Sequence, residues 1–235
     1  MITDSVVILP AGGSSTRFGK TNKLFSDLNG MPVFCHAVKL FLNLVPADRI
    51  AIAFNETFKD AFEEALQRFF PEEKFRLVIG GATRTESVLH ALKLFEDLAP
   101  KYAAVHDAAR PLLTLELAEE TFRQCAVHGA AIAVHPIHDT VKRIGTDSLL
   151  SSADIDRELL RGVETPQIFL YRELLNATER AVQDHLSFTD DAAAVEHYLG
   201  RKSFAVENIG FNLKITREPD LELARLILKS KSRIS

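Results

Sequence analysis

Short apolar runs recur along this chain, separated by segments whose apolar residues fall at helical spacing. The runs at 6–9, 49–54, 75–79, 103–106, 130–134 and 203–206 are brief and apolar throughout. That is the pattern of strands buried on both faces of a sheet. The segment 32–44 follows an Asn29-Gly30 turn and carries Phe34, Val38, Leu40 and Phe41. Further helices are predicted over 56–69, 84–98, 115–128, 172–184, 189–199 and 219–229, the last with Pro219 in its first turn and Thr216 or Arg217 near its cap. Alternation of this kind predicts an α/β sandwich with a mostly parallel sheet. There is no internal repeat and no low-complexity segment.

One stretch breaks the rhythm. Residues 136–168 show no helical pattern, only a strand-like Val141-Lys142-Arg143-Ile144 before a turn near Gly145-Thr146-Asp147. Loops longer than about 15 residues are uncommon inside a compact domain. A projecting hairpin arm over about 137–160 of an otherwise single 1–235 domain accounts for it. A second copy of the chain is the natural surface to cover such an arm.

Ligands of open α/β sheets bind beyond the carboxyl ends of the strands. That rim gathers the 10–23 loop, Gly80-Gly81-Ala82-Thr83-Arg84 and His106-Asp107-Ala108-Ala109-Arg110, with His135-Pro136 if its strand runs the same way. Arg17, Lys20, Lys23, Arg84 and Arg110 then surround one acid, Asp107. Cations around a single carboxylate suit a metal-bound polyphosphate, since Mg²⁺ takes one or two carboxylates plus phosphate oxygens.

The first rim loop reads AGGSSTRFGKTNKL. It is not a Walker A loop, because the glycine required ahead of Gly19-Lys20-Thr21 falls on Ser14. The dinucleotide pattern fails too, since Gly12 and Gly13 are adjacent. Small residues followed by cations still suit a polyphosphate. An ordinary strand-to-helix loop with a basic rim is the alternative.

Composition narrows the class. Of 235 residues, 46% are hydrophobic and 26% charged, as in soluble globular domains. The net charge of −4 speaks against a nucleic-acid protein. No apolar run approaches the ~20 residues of a membrane span, and no secretory leader pattern is seen. Two cysteines, Cys35 and Cys125, read as buried thiols in a reducing compartment. A cytoplasmic location is expected, or the plastid stroma in a plant-like source, although no transit peptide is seen.

The ordered segments PAGGSSTRFG, NKLF, GGATRTESV, VHDAARP, HDTVK, TPQIF, FTDDAAAVE and NLKITREPDLELA run nearly the whole chain. Together they resemble the 2-C-methyl-D-erythritol 4-phosphate cytidylyltransferase family. The resemblance implies a nucleotidyltransferase (Rossmann-like) three-layer sandwich with a mostly parallel mixed sheet and a β-arm that builds a homodimer. It implies conversion of CTP and methylerythritol phosphate to a CDP-alcohol and pyrophosphate, in the non-mevalonate isoprenoid pathway, with Mg²⁺. By position, Arg17 and Lys23 would contact the CTP phosphates and Lys214 the α-phosphate. Asp107 would bind the metal. Ala11, Gly12, Gly13, Gly81 and Ser87 would read cytosine and ribose. Arg110, Thr165 and Thr189 would grip the polyol phosphate, and Thr140 and Arg157 would reach into the partner's site. A sister family acting on D-ribitol 5-phosphate shares most of these motifs, and a non-catalytic nucleotide sensor is a third reading.

The chain departs from the family pattern at Ser15, Asn22, Leu24, Asn208 and Phe211. Asn208 replaces a usual glycine, and asparagine tolerates left-handed backbone better than most residues. Blander readings stand beside several of these residues. Asp107 could cap a strand end, Lys214 could be a surface lysine, and Arg157 could belong to a solvated charge run with Asp156 and Glu158. Asp190-Asp191 reads as a helix start and His106, His135 and His138 as structural histidines.

Overall fold

The apolar runs pair into one sheet. In a computed structural model describing residues 2, 4–13, 22–151 and 156–231, the strands are β1 (Ser5–Ala11), β2 (Asp27–Leu28), β3 (Met31–Pro32), β4 (Ile50–Phe54), β5 (Arg76–Ile79), β6 (Tyr102–Val105), β7 (Ala130–Pro136), β8 (Arg143–Ile144), β9 (Leu150–Ser151), β10 (Arg161–Leu170) and β11 (Phe204–Glu207). The helices are α1 (Val33–Phe41), α2 (Lys59–Phe69), α3 (Arg84–Lys93), α4 (Leu115–His128), α5 (Tyr171–Gln183), α6 (Asp191–Leu199) and α7 (Glu218–Lys231). The main sheet has the order β11-β7-β10-β6-β1-β4-β5. β10 runs antiparallel to both neighbours, and the other main-sheet strands share one direction. The α/β sandwich with a mostly parallel sheet is therefore present, and His135 does reach the rim.

Period-2 alternation explains the layers. Val7 and Leu9 of β1, with Ile50 and Ile52 of β4, face Phe34, Val38 and Phe41 of α1, Phe62 of α2 and Phe122 of α4. Val6, Ile8, Ala51 and Ala53 face the opposite way, against Val88 and Leu92 of α3, Leu174 of α5 and Val195 of α6. Burial on both faces is why these strands read as unbroken apolar runs. A third cluster packs Leu221, Ala224 and Ile227 of α7 against Leu28, Val33, Leu112 and Ile215. It sits beside the rim and fixes the chain just after Lys214.

Sequence periodicity leaves 161–168 unassigned, yet these residues form most of β10. Glu164, Thr165, Pro166 and Gln167 interrupt the apolar pattern, and proline within a run argues against a central strand. The ladder with β7 shifts register between Val163 and Gln167. The Thr165–Pro166 peptide bond is cis. Across the register shift, Glu164 and Thr165 border the rim. Outside the main sheet, β8 and β9 pair only with each other. Ile144, Leu149, Leu150 and Leu159 of this segment are exposed.

Candidate active site

The site is built where β6 ends. Asp107 and Arg110 close a turn, with Arg110 N donating to Asp107 O at 2.9 Å. Beneath it His106 is fully buried. Its Nε2 meets the Arg110 carbonyl at 3.1 Å, and a carbonyl only accepts, so Nε2 carries the proton. Nδ1 then accepts from Thr165 Oγ1 at 3.0 Å. The Thr165 oxygen in turn accepts from Asp107 N at 3.1 Å. Burial pushes the His106 pKa down to about 4, against the hydrogen bond it donates to the Arg110 carbonyl, so the ring is neutral at physiological pH. A neutral histidine and a threonine from β10 thus brace the backbone of Asp107.

Three cations converge on that carboxylate. Lys214 Nζ lies 3.0 Å from Asp107 Oδ2, Arg110 Nε 3.3 Å from the same oxygen, and Arg84 Nε 3.6 Å from Oδ1. Burial favours the protonated acid, but the charges of Lys214, Arg84 and Arg110 outweigh it and hold Asp107 well below the usual carboxylate range. Arg84 is itself held by the buried Asp191 at 2.8 Å. Asp190 caps α6, as expected from the sequence. Asp191, beside it, has the additional job of anchoring Arg84.

The opposite wall is backbone. Ser87 Oγ accepts from Gly81 N at 3.1 Å and donates to Thr83 O at 2.9 Å. Thr83 and Glu86 form a capping box at the start of α3. At Lys23 a short 3₁₀ turn is capped by Asn22, whose Oδ1 accepts from Leu24 N at 3.1 Å, while Leu24 is buried. Those two departures from the family pattern therefore hold Lys23 in place.

Two cavities result. The larger, about 580 Å³, is lined by Ala11, Gly12, Gly13, Lys23, Gly81 and Ser87. The smaller, about 300 Å³, is lined by Arg110, Thr165, Gln167 and Thr189. Arg84, Asp107 and Lys214 line both. A model of the 2-C-methyl-D-erythritol 4-phosphate cytidylyltransferase family matches residues 5–230. The chain belongs to this family. It is 34% identical to the Bacillus mycoides enzyme of that name, over 94% of this chain and 96% of that one. The Symbiobacterium thermophilum enzyme is 37% identical, over 97% and 94%. The crystal structure of the Francisella tularensis enzyme superposes with a TM-score of 0.78 at 26% identity, covering 95% of this chain and 99% of that one.

Against the cytidylyltransferase motifs, the structure brings together Lys23, Lys214, Asp107, Ala11, Gly12, Gly13, Gly81 and Ser87 around the larger cavity, and Arg110, Thr165 and Thr189 around the smaller. Arg17, with Ser15 and Lys20, lies outside the described residues. Thr140 and Arg157 are exposed and line neither cavity. Arg157 Nη1 donates to His138 O at 2.7 Å, which ties the two ends of the segment between them. Asn208 is not among the residues at positive φ, so left-handed backbone does not explain its replacement of glycine.

Sequence reasoning missed Asp191, Gln167 and Glu164. Gln167 Oε1 accepts from Asp191 N and Ala192 N, each at 3.1 Å, so β10 caps α6 from the sheet. The available signal was polar residues inside an apolar run, which a buried strand tolerates only when each has a partner.

Proposed function

We propose that the larger cavity takes CTP, the smaller takes 2-C-methyl-D-erythritol 4-phosphate, and the wall they share is where the α-phosphorus sits. The observation that carries this is the pair of cavities with Arg84, Asp107 and Lys214 in common. An oxygen of the polyol phosphate attacks the α-phosphorus. The bond to the bridging oxygen of the β-phosphate breaks, and pyrophosphate leaves with the electron pair. The product is a CDP-alcohol. Positioning and charge stabilisation carry such a reaction.

Each residue then has a role. Backbone at Gly12, Gly13 and Gly81 lets the pyrimidine and ribose approach closely. Ser87 spends its proton on Thr83, so it shapes the Gly81 loop and keeps one lone pair for the nucleotide. Lys23 and Arg17 neutralise the leaving pyrophosphate. Lys214 holds the α-phosphate as charge gathers there. Arg110 and Thr189 receive the polyol phosphate, and Thr165 positions Asp107 between the two substrates.

Mg²⁺ fits this donor set. Among the described residues no group of three or more His, Cys, Asp or Glu could cage a metal. A single ionised carboxylate on a cavity wall suits a cation whose remaining ligands are phosphate oxygens and water. Asp107 would hold it, and the ion would draw charge from the phosphates. The exposed apolar side chains of the 137–160 arm support a homodimer in which Thr140 and Arg157 complete the partner's smaller cavity.

The test is pyrophosphate release from CTP and Mg²⁺, with methylerythritol 4-phosphate and ribitol 5-phosphate in parallel. Release with the first alone is expected, and chelation should abolish it. Release with ribitol phosphate alone would overturn the substrate, and silence with both would overturn the reaction. Gly81→Ala probes the nucleotide wall. A Cβ there would clash with Glu86 Cβ, so the loop must move and the capping box break. CTP Kd is expected to rise about tenfold, a cost of about 1.4 kcal/mol. Unchanged affinity by calorimetry would remove Gly81 from the nucleotide site.

A further inference from the structure

We infer that Glu164 is a positioning residue that holds Lys214 and Arg110 in the site. The inference rests on the reading of that site given above. Glu164 stands where β10 leaves its ladder with β7, and it is buried. Its Oε2 accepts from Asn208 Nδ2 at 2.9 Å and from Asn212 Nδ2 at 3.0 Å. Its Oε1 lies 3.1 Å from His135 Nδ1. Glu164 also borders the smaller cavity, but its oxygens face protein donors. It therefore acts through its neighbours and is no ligand of the substrate.

Asn212 is the lever. Its Nδ2 donates both to Glu164 Oε2 and, at 2.7 Å, to Thr165 O. Two oxygens at these distances can face only an NH₂ group, so the amide has one orientation. The Asn212 carbonyl accepts from Arg110 Nη1 at 2.8 Å. Two residues on comes Lys214, followed by the fully buried Ile215, whose N donates to Ala109 O at 2.8 Å. One carboxyl thus reaches two of the three cations around Asp107.

Ahead of Leu213, which packs half-buried on the third cluster, apolar burial does not hold this segment. Ile209 is 99% and Phe211 62% exposed. Between β11 and Leu213 the buried side chains are the amides of Asn208 and Asn212. Asn208, the replacement for a family glycine, supplies the second of the two donors that Glu164 receives. Its Oδ1 also accepts from Gly210 N at 2.9 Å, which shapes the turn.

The test compares Glu164→Leu with Glu164→Gln. Leucine removes the acceptor, leaving the buried Asn208 amide N–H without its partner and Asn212 with Thr165 O alone. Glutamine keeps one carbonyl oxygen able to take both. Glu164→Leu is expected to lower kcat about 100-fold and raise KM for the polyol phosphate, because small misplacements of positioning groups cost this much. CTP affinity should stay within about twofold, since the nucleotide wall lies on other loops. Glu164→Gln should stay close to the parent in every measure. Hydrogen exchange across 207–216 should quicken in the leucine variant alone. Should Glu164→Leu not fold, Asn208→Ala removes one donor and leaves the carboxyl in place, with a smaller change expected in the same direction. Unchanged exchange and kcat in the variant that folds would overturn the clamp, as would equal loss of CTP affinity. A parent with no turnover would instead sink the reading of the site, and the clamp would stand or fall on exchange alone.

Discussion

Replacing Lys214 by alanine is expected to lower the rate of pyrophosphate formation by about 100- to 1,000-fold, the usual cost of one donor aimed at developing charge. CTP affinity should change far less. Lys214 borders both cavities and lies 3.0 Å from Asp107, so its charge is already engaged by a carboxylate that it shares with two arginines. It has most to gain when the α-phosphorus becomes five-coordinate and its oxygens draw charge. Interactions that strengthen only then raise kcat without tightening ground-state binding. Single-turnover rates and calorimetric Kd separate the two. Equal losses in both would mean that Lys214 merely binds CTP.

Asp107→Asn should give the second large effect, with the opposite pattern in binding. Three cations now share one carboxylate, and amidation frees them for phosphate. CTP without metal should bind at least as tightly as to the parent. Turnover with Mg²⁺ should nonetheless fall about 1,000-fold, because the carboxylate proposed to hold the ion is gone. Weaker metal-free CTP binding would count against this arrangement. Stability gives an independent reading. The folded-state pKa of Asp107 is depressed, so its contribution is complete above the unfolded value of about 3.9 and is lost as pH falls through the folded value. Denaturant midpoints of parent and variant should differ by a constant amount from about pH 8 to pH 5 and converge below about pH 4. A gap that widened in acid would contradict the ion cluster.

Much of this was legible in the sequence because it is local. Apolar runs mark β1, β4, β5, β6 and β7, and the loops after β1, β5 and β6 carry Gly12, Gly13, Lys23, Gly81 and Asp107. Asp107 stands out as the one acid at the end of an apolar strand, among cations. What stayed hidden is non-local. Glu164, Gln167 and Asp191 make sense only beside Asn212, α6 and Arg84, each far away along the chain. β10 hid behind Pro166 and its polar neighbours, which look like a loop until their partners are known. The hydroxyls of Ser87 and Thr165 are a subtler case. Position in a motif suggests direct contact with substrate, whereas their protons go to Thr83 and His106.

The antiparallel insertion of β10 between β6 and β7 also governs how the molecule can be made. By residue 105 the strands β1, β4, β5 and β6 have all been synthesised, and they pair only with one another and with β10. β7 comes next, but its sheet partners are β10 and β11, both still to come. A nascent chain halted between residues 136 and 161 therefore carries a bare β6 edge and an orphan apolar strand. Both are templates for pairing with another chain, the hazard that open edges pose during biosynthesis. When β10 arrives it seals both edges together and delivers Thr165 beneath Asp107 in the same stroke. The Gly12 and Gly81 loops are thus encoded early in the chain, and the floor beneath Asp107 is set only by the strand that joins the two halves of the sheet.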